Sequence, residues 1–318
     1  MKKTIYFILP TGSPPKLAYT SYGLEGFVVK EVELRARSEI HPEFRVNCIA
    51  PEETPYMQDV AGIISMDGSD IVIIESSKYP RERNSLLVLE PPIIWPRAYH
   101  PSIKDTFDKI FIPTDDFIDN RHFIKIPFPG WAPLIKEVPD FEEKKFCCLI
   151  NSNKGSPYTG YELYSERRKI ITNFMNYTQE FDLYGNWQGI ACWKGWANHT
   201  PDVMKNYKFS ISYENMTNQR GYISEKIHNS ISAQCIPIYL GATNITDYIP
   251  KECFIDRRNF SSDRELYDFL RSIDRKTFEN YIEAQKKYIN SPQAKIFKSY
   301  YSARIVTENF IDSLKEKN

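Results

Sequence analysis

No stretch of this 318-residue chain approaches the roughly 18 consecutive apolar residues that a membrane-spanning helix needs, and its mean hydropathy is -0.48. Nor is there a surplus of either charge, since 41 Lys and Arg face 41 Asp and Glu for a formal net charge of zero. A general nucleic-acid binder usually needs excess positive charge to displace counterions from phosphates, so the balance argues against that class, although it leaves room for a local phosphate site. The six cysteines (Cys48, Cys147, Cys148, Cys192, Cys235, Cys253) contain no C-x-x-C pair and no histidine at metal-ligand spacing. They read as buried free thiols in a reducing compartment. The chain also lacks internal repeats and low-complexity tracts. Its first residues, MKKTIYFILPTG, carry an apolar run that ends at Pro10. That run is shorter than the roughly 7 to 15 residues of a secretory core, so it reads as the first core strand and the expected location is cytoplasmic. The five Asn-x-Ser/Thr sites (Asn176, Asn198, Asn215, Asn244, Asn259) are then chance occurrences.

What is present is ordinary globular composition, 42% hydrophobic and 26% charged, which argues against a disordered chain. Its length suggests about two domains. Aromatic residues reach 14%, enough for sugar or base surfaces, although core packing can absorb them. The first 140 residues hold short apolar runs ended by Pro, Asp or Ser: KTIYFILP, DIVIIES (70–76), SLLVLEPP (85–92), DKIFIPTDD (108–116) and HFIKIPF (122–128). Each has the length and β-branched content of a covered strand. The proline-rich stretch 127–140 reads as a linker, which puts a first domain at 1–143 and a second at 144–295. The tail, about 296–318, is expected to pack back on the first domain, in preference to lying on an anionic membrane.

In the second half strands and helices alternate. FCCLINSN (146–153), FDLYG (181–185), YKFSISYEN (207–215), IPIYLG (236–241) and CFID (253–256) read as strands. Thr159-Gly-Tyr-Glu162 and Ser262-Asp-Arg-Glu265 fit capping boxes that open helices, and SEKIHNSISAQ (224–234) is a third helix. Such alternation predicts parallel βαβ units, whose ligands sit beyond the carboxyl ends of the strands.

The most informative segment runs from Tyr207 to Phe260. A strand ends in Glu214-Asn215, a loop holds Arg220, and Glu225-Lys226 opens a helix. A helix N-terminus favours an anion, so Lys226 opposes the dipole there unless a negative group offsets it. A bound phosphate would do so; a solvated lysine is the plain alternative.

Tyr213-Glu214-Asn215 followed by Tyr222-Ile223-Ser224-Glu225-Lys226 resembles the signature of the fucosyltransferases of glycosyltransferase family 10. There a Phe-Glu-Asn strand end precedes Tyr-(Ile/Val)-Thr-Glu-Lys. Ile236-Pro237-Ile238-Tyr239-Leu240-Gly241, Tyr248-Ile249-Pro250, Phe254-Ile255 and Asn259-Phe260-Ser261 follow in the family's order. Tyr213 for Phe and Ser224 for Thr are mild departures. The resemblance implies an α/β fold of GT-B architecture, two Rossmann-like domains with a cleft between them. It also implies GDP-fucose as donor and a glycan hydroxyl as acceptor, on an N-acetyllactosamine or lipopolysaccharide-type chain. No cofactor is required in this family; a divalent metal ion is at most stimulatory.

Residue by residue, the resemblance assigns Glu90, at the end of SLLVLEPP, as general base, with Pro91 where the family often has Ser. It assigns Arg167 or its neighbour Arg168, with Arg167 preferred, and Lys226 to the donor pyrophosphate. Glu225 would hold donor hydroxyls, and Asn215 and Tyr222 would line the same pocket. The mechanism so implied is an inverting single displacement. A retaining double displacement needs a second carboxylate, for which Glu214 and Glu225 are candidates, but the resemblance argues against it. Asp115-Asp116 reads as a strand-end turn, with no metal expected there. Trp187, Trp193 and Trp196 fit either a stacking surface or a buried loop cluster. Two other functions stay open: a GT-B transferase with another nucleotide sugar, and a non-catalytic glycan-binding protein.

Overall fold

The computed structural model describes residues 4–9, 24–53, 60–66, 68–130, 132–157 and 160–316. The chain divides into two compact units, 1–129 with 297–318, and 130–296.

The first unit is built on a six-stranded sheet in the order β2-β1-β3-β4-β5-β6, with every neighbouring pair parallel. The strands are β1 (Thr4–Ile8), β2 (Arg45–Ile49), β3 (Val60–Ser65), β4 (Asn84–Leu87), β5 (Lys109–Ile112) and β6 (Phe123–Lys125). Helix α1 (Leu24–Glu39) buries Val28, Val29, Val32 and Ala36, the spacing of a single helix face. The segment 70–76, expected as a strand, is instead helix α2 (Asp70–Ser76). Its buried residues are Val72, Ile73 and Ser76, whereas Ile71 (42%) and Ile74 (50%) are exposed. That pattern has the period of a helix and not the alternation of a strand. The strand that joins β1 to β4 is β3, which the sequence reading passes over. It carries Gly62, where a Cβ would come within 2.7 Å of the Phe310 ring.

Phe310 belongs to the last helix of the chain, α9 (Ser299–Lys315), which returns to the first unit and packs on α1. Phe310, Ile311 and Leu314 join Phe7, Val28 and Val32 in one core. At the rim Lys315 reaches Glu39 at 2.5 Å. The tail's destination is therefore the unit that the N-terminal strands build.

The second unit carries a five-stranded parallel sheet, β11-β10-β9-β7-β8. Its strands are β7 (Lys145–Ile150), β8 (Phe181–Tyr184), β9 (Tyr207–Tyr213), β10 (Ile236–Leu240) and β11 (Ile255–Asp256). The helices are α3 (Tyr164–Tyr177), α4 (Thr200–Met204), α5 (Glu225–Ser232), α6 (Asp263–Ser272), α7 (Arg275–Ile289) and α8 (Pro292–Lys295). Of the two expected capping boxes, Ser262 caps α6 by accepting the Glu265 N–H at 3.1 Å. Glu265 turns to Ser261, one residue earlier than a reciprocal box requires. Thr159 lies outside the described residues. Glu162 accepts the Ser165 N–H at 2.9 Å, and α3 starts at Tyr164.

Among its described residues the stretch 127–140 contains no helix or strand, yet much of it is held by the second unit. Ser232 Oγ donates to the Ala132 carbonyl, and Gln234 Nε2 to that of Ile135, while Ile135 N–H donates to the Ser232 carbonyl. At Gly130 a Cβ would lie 2.8 Å from Glu225 Cα. The division thus falls at 129/130, ahead of residue 143, because these main-chain groups find their hydrogen bonds on α5 and the residues after it.

Candidate functional site

Strand β9 ends beneath a network of buried charge. Its hydrogen bonds to β10 continue past Tyr213, with Glu214 N–H donating to the Leu240 carbonyl at 2.8 Å. The Glu214 side chain is wholly buried. One carboxylate oxygen accepts the Ser224 N–H at 2.8 Å and the other the Ser224 hydroxyl at 2.6 Å. Ser224 is the N-cap of α5. Lys226 Nζ lies 3.0 Å from Ser224 Oγ, 3.5 Å from Glu214 Oε2 and 3.4 Å from Glu225 Oε1.

These distances answer why a lysine opens α5. The negative group that offsets its opposition to the helix dipole is supplied by Glu214 and Glu225 of the protein itself. Burial pushes the Glu214 carboxyl up from its ordinary range, against the pull of Lys226 and the Ser224 hydrogen bonds. For Glu225, burial also pushes upward, but Lys226 and local hydrogen bonds outweigh it and hold the carboxyl low.

On the other side of the strand end, Arg167 is 3% exposed. Its Nη2 donates to the Tyr213 carbonyl at 2.7 Å and to Asn215 Oδ1 at 3.0 Å. Its guanidinium lies over the Tyr164 ring at 5.1 Å, and Nε has no hydrogen-bond partner among the described residues. Burial pulls its pKa down, while Glu214, Tyr164, Tyr222 and Glu225 oppose the shift. Arg168, by contrast, is exposed and donates to the Lys154 carbonyl at 2.8 Å. Tyr222 is buried, and its carbonyl lies 3.5 Å from the Tyr239 hydroxyl.

Five of the expected residues, Arg167, Asn215, Tyr222, Glu225 and Lys226, therefore gather where β9 ends and α5 begins. Glu90 lies in the first unit, on a bend just beyond β4, half-buried, with its carbonyl accepting from the buried Tyr99 hydroxyl at 2.7 Å. Burial raises the Tyr99 pKa and the Glu90 charge adds to the rise.

Gly241, at the end of β10, completes the second-unit site. A Cβ there would meet Glu214 Cγ at 2.5 Å and the Tyr239 hydroxyl at 2.6 Å. Only glycine leaves room for the carboxylate. Gly241, Tyr239 and Ser224 were not singled out from the sequence as site residues. The signal was the succession of two strand ends, Glu-Asn and Leu-Gly, which the fold brings side by side.

Of the three tryptophans, Trp187 is buried with Nε1 donating to the Asn151 carbonyl at 2.9 Å. Trp193 donates to the Gly185 carbonyl at 2.7 Å, and Trp196 is 64% exposed. Two of them thus anchor the loop after β8. Asp115 pairs with Lys125 at 2.9 Å. Among the described residues no group of three or more His, Cys, Asp or Glu is arranged to hold a metal ion. No helix among them is long and apolar enough to cross a membrane.

Two units, each a parallel sheet with helices, define the GT-B class of fold with two Rossmann-like domains. The solved alpha1,3-fucosyltransferase aligns over 98% of this chain and 90% of its own, with a TM-score of 0.61 at 12% identity. The DNA modifying enzyme beta-glucosyltransferase aligns over 98% and 99%, with a TM-score of 0.56 at 12% identity. Residues 142–312 match the model of the C-terminal region of glycosyltransferase family 10 (fucosyltransferase), and the chain belongs to that family. The 4-galactosyl-N-acetylglucosaminide 3-alpha-L-fucosyltransferase 9 of Rattus norvegicus is 29% identical over 167 residues, 51% of this chain and 43% of that protein. An alpha-(1,4)-fucosyltransferase of Arabidopsis thaliana is 33% identical over 78 residues, 24% of this chain and 19% of that protein. The chain thus matches less than half the length of these relatives.

Proposed function

We propose that the protein is an inverting fucosyltransferase that moves L-fucose from GDP-fucose to a glycan hydroxyl. The observation that carries the proposal is the pair of cations, Arg167 and Lys226, set at the β9 end and the α5 start within the region that matches the family. A nucleoside diphosphate leaving group needs preorganised positive charge more than it needs an acid. Arg167 supplies a planar fork suited to two phosphate oxygens, and Lys226 a compact charge. Glu225 then holds hydroxyls of the donor, and Asn215 and Tyr222 line the same pocket.

Glu90 is the base. The acceptor hydroxyl loses its proton to the Glu90 carboxylate as its oxygen bonds to the anomeric carbon. The bond from that carbon to the β-phosphate oxygen breaks, its electron pair leaves with GDP, and a β-linked donor gives an α-fucoside. By analogy with the names of its relatives, the acceptor is GlcNAc of an N-acetyllactosamine-type unit, fucosylated at its 3-hydroxyl.

A second donor deserves a test, because a phage transferase solved with UDP and Mn2+ aligns over 98% of this chain with a TM-score of 0.55. Competition binding separates the two. GDP is expected to bind at least about tenfold more tightly than UDP, since a base-reading pocket rejects a ligand that leaves its polar groups unpaired. Equal or tighter UDP binding overturns the donor assignment.

A further inference from the structure

One buried carboxylate ties the two cations of the site together. Arg167 grips the residues on either side of Glu214, donating to the Tyr213 carbonyl at 2.7 Å and to the Asn215 side-chain oxygen at 3.0 Å. The Glu214 carboxylate in turn grips the start of α5, through both the N–H and the hydroxyl of Ser224, and stands 3.5 Å from Lys226 Nζ. It has no exposed surface, so it cannot itself touch a bound donor. The Lys226 side chain keeps 18% of its surface open. Gly241 leaves the space that this arrangement fills.

We infer that Glu214 is a positioning residue, which sets the Lys226 ammonium in register with the Arg167 guanidinium. Its negative charge costs the site some attraction for an anion. What it supplies is direction: a lysine on a flexible stem is held at a fixed distance from a fixed strand end. In the functional reading above, Lys226 contacts the phosphate that leaves. A misplaced Lys226 then lowers the rate of transfer more than the affinity for GDP, because the leaving charge is largest in the transition state.

A buried ion pair gives a test that needs no ligand. Removing one partner strands the other, whereas removing both does not. Glu214→Gln, which keeps the shape and one acceptor, is expected to lower Tm by several degrees in the otherwise unchanged chain. In the Lys226→Met chain the same substitution is expected to leave Tm unchanged or to raise it, since it removes an unpaired buried charge. Equal losses in both backgrounds make Glu214 a packing and capping group and overturn the inference, whatever the protein's donor is.

The second readout rests on the proposed function. Glu214→Gln is expected to lower kcat at least about tenfold while Kd for GDP moves less than about threefold. In the Lys226→Met chain it is expected to cost no further rate. Tighter GDP binding with kcat unchanged means that Glu214 merely competes with the phosphates, which also overturns the inference. Failure of the unchanged protein to bind GDP sinks the functional reading instead, and leaves the Tm comparison to decide the role of Glu214.

Discussion

Lys226 stands where helix chemistry disfavours a cation, in the first turn of α5. Three oxygens, on Ser224, Glu214 and Glu225, lie within 3.5 Å of its ammonium. A lysine so held offers a charge at one place instead of a cloud of rotamers, which suits a phosphate contact. Lys226→Met is therefore expected to weaken GDP binding by roughly 10- to 150-fold, the range set by losing one charge-assisted hydrogen bond. Isothermal titration measures it, and an unchanged Kd removes Lys226 from the phosphate role. The adjoining arginines show what one sequence step does on a helix. Arg167 is inside, bonded to the β9 end, and Arg168 outside, bonded to the Lys154 carbonyl. The sequence leaves that register open, because both residues are the same type and the helix start is set by Glu162 and not by an N-cap side chain.

Element by element, the second unit was legible and the first only in part. Its strands from residue 145 on are each followed by a small or polar residue (Asn151, Gly185, Glu214, Gly241, Arg257) and alternate with helices, of which α5 and α6 open on serine caps, so local propensity and packing agree. In the first unit DIVIIES departs from its expected strand and VAGIIS gives no strand signal, for opposite reasons. The former is rich in β-branched residues yet has only one face to bury, while the latter is broken by Gly62, which exists to admit Phe310 from the far end of the chain. No local pattern reveals a packing partner some 250 residues away. The Glu214 network was equally hidden, since its members meet only once β9, α5 and β10 are assembled.

Helix α5 also carries His228, which is buried against the Ser224 carbonyl and the Tyr288 hydroxyl of α7. Burial pulls its pKa down to about 4, although the Ser224 hydrogen bond and the Glu225 charge pull upward. The unfolded chain takes up a proton there near pH 6.5, the folded chain not until about pH 4. Stability therefore rises with pH across that window and is lost on acidification through it, by on the order of 3 kcal/mol. Denaturant midpoints between pH 7 and pH 4 are expected to fall less steeply in His228→Gln, provided that variant folds. Parallel slopes would show that His228 is not the group responsible.

For the molecule as a whole, the polypeptide completes its first unit only after it has built the second, since α9 packs on α1. Both units carry residues that the account needs, Glu90 in one and the Arg167–Lys226 set in the other. The measurement that bears most directly on the central claim is a mass-spectrometric transfer assay with GDP-fucose and a panel of lactose, N-acetyllactosamine, GlcNAc-terminated and chitobiose-core acceptors. The account predicts an acceptor heavier by one deoxyhexose, and a loss of roughly a hundredfold or more in Glu90→Gln, which removes the general base but leaves GDP binding intact. A protein that binds neither GDP nor GDP-fucose and transfers nothing to any acceptor would contradict it.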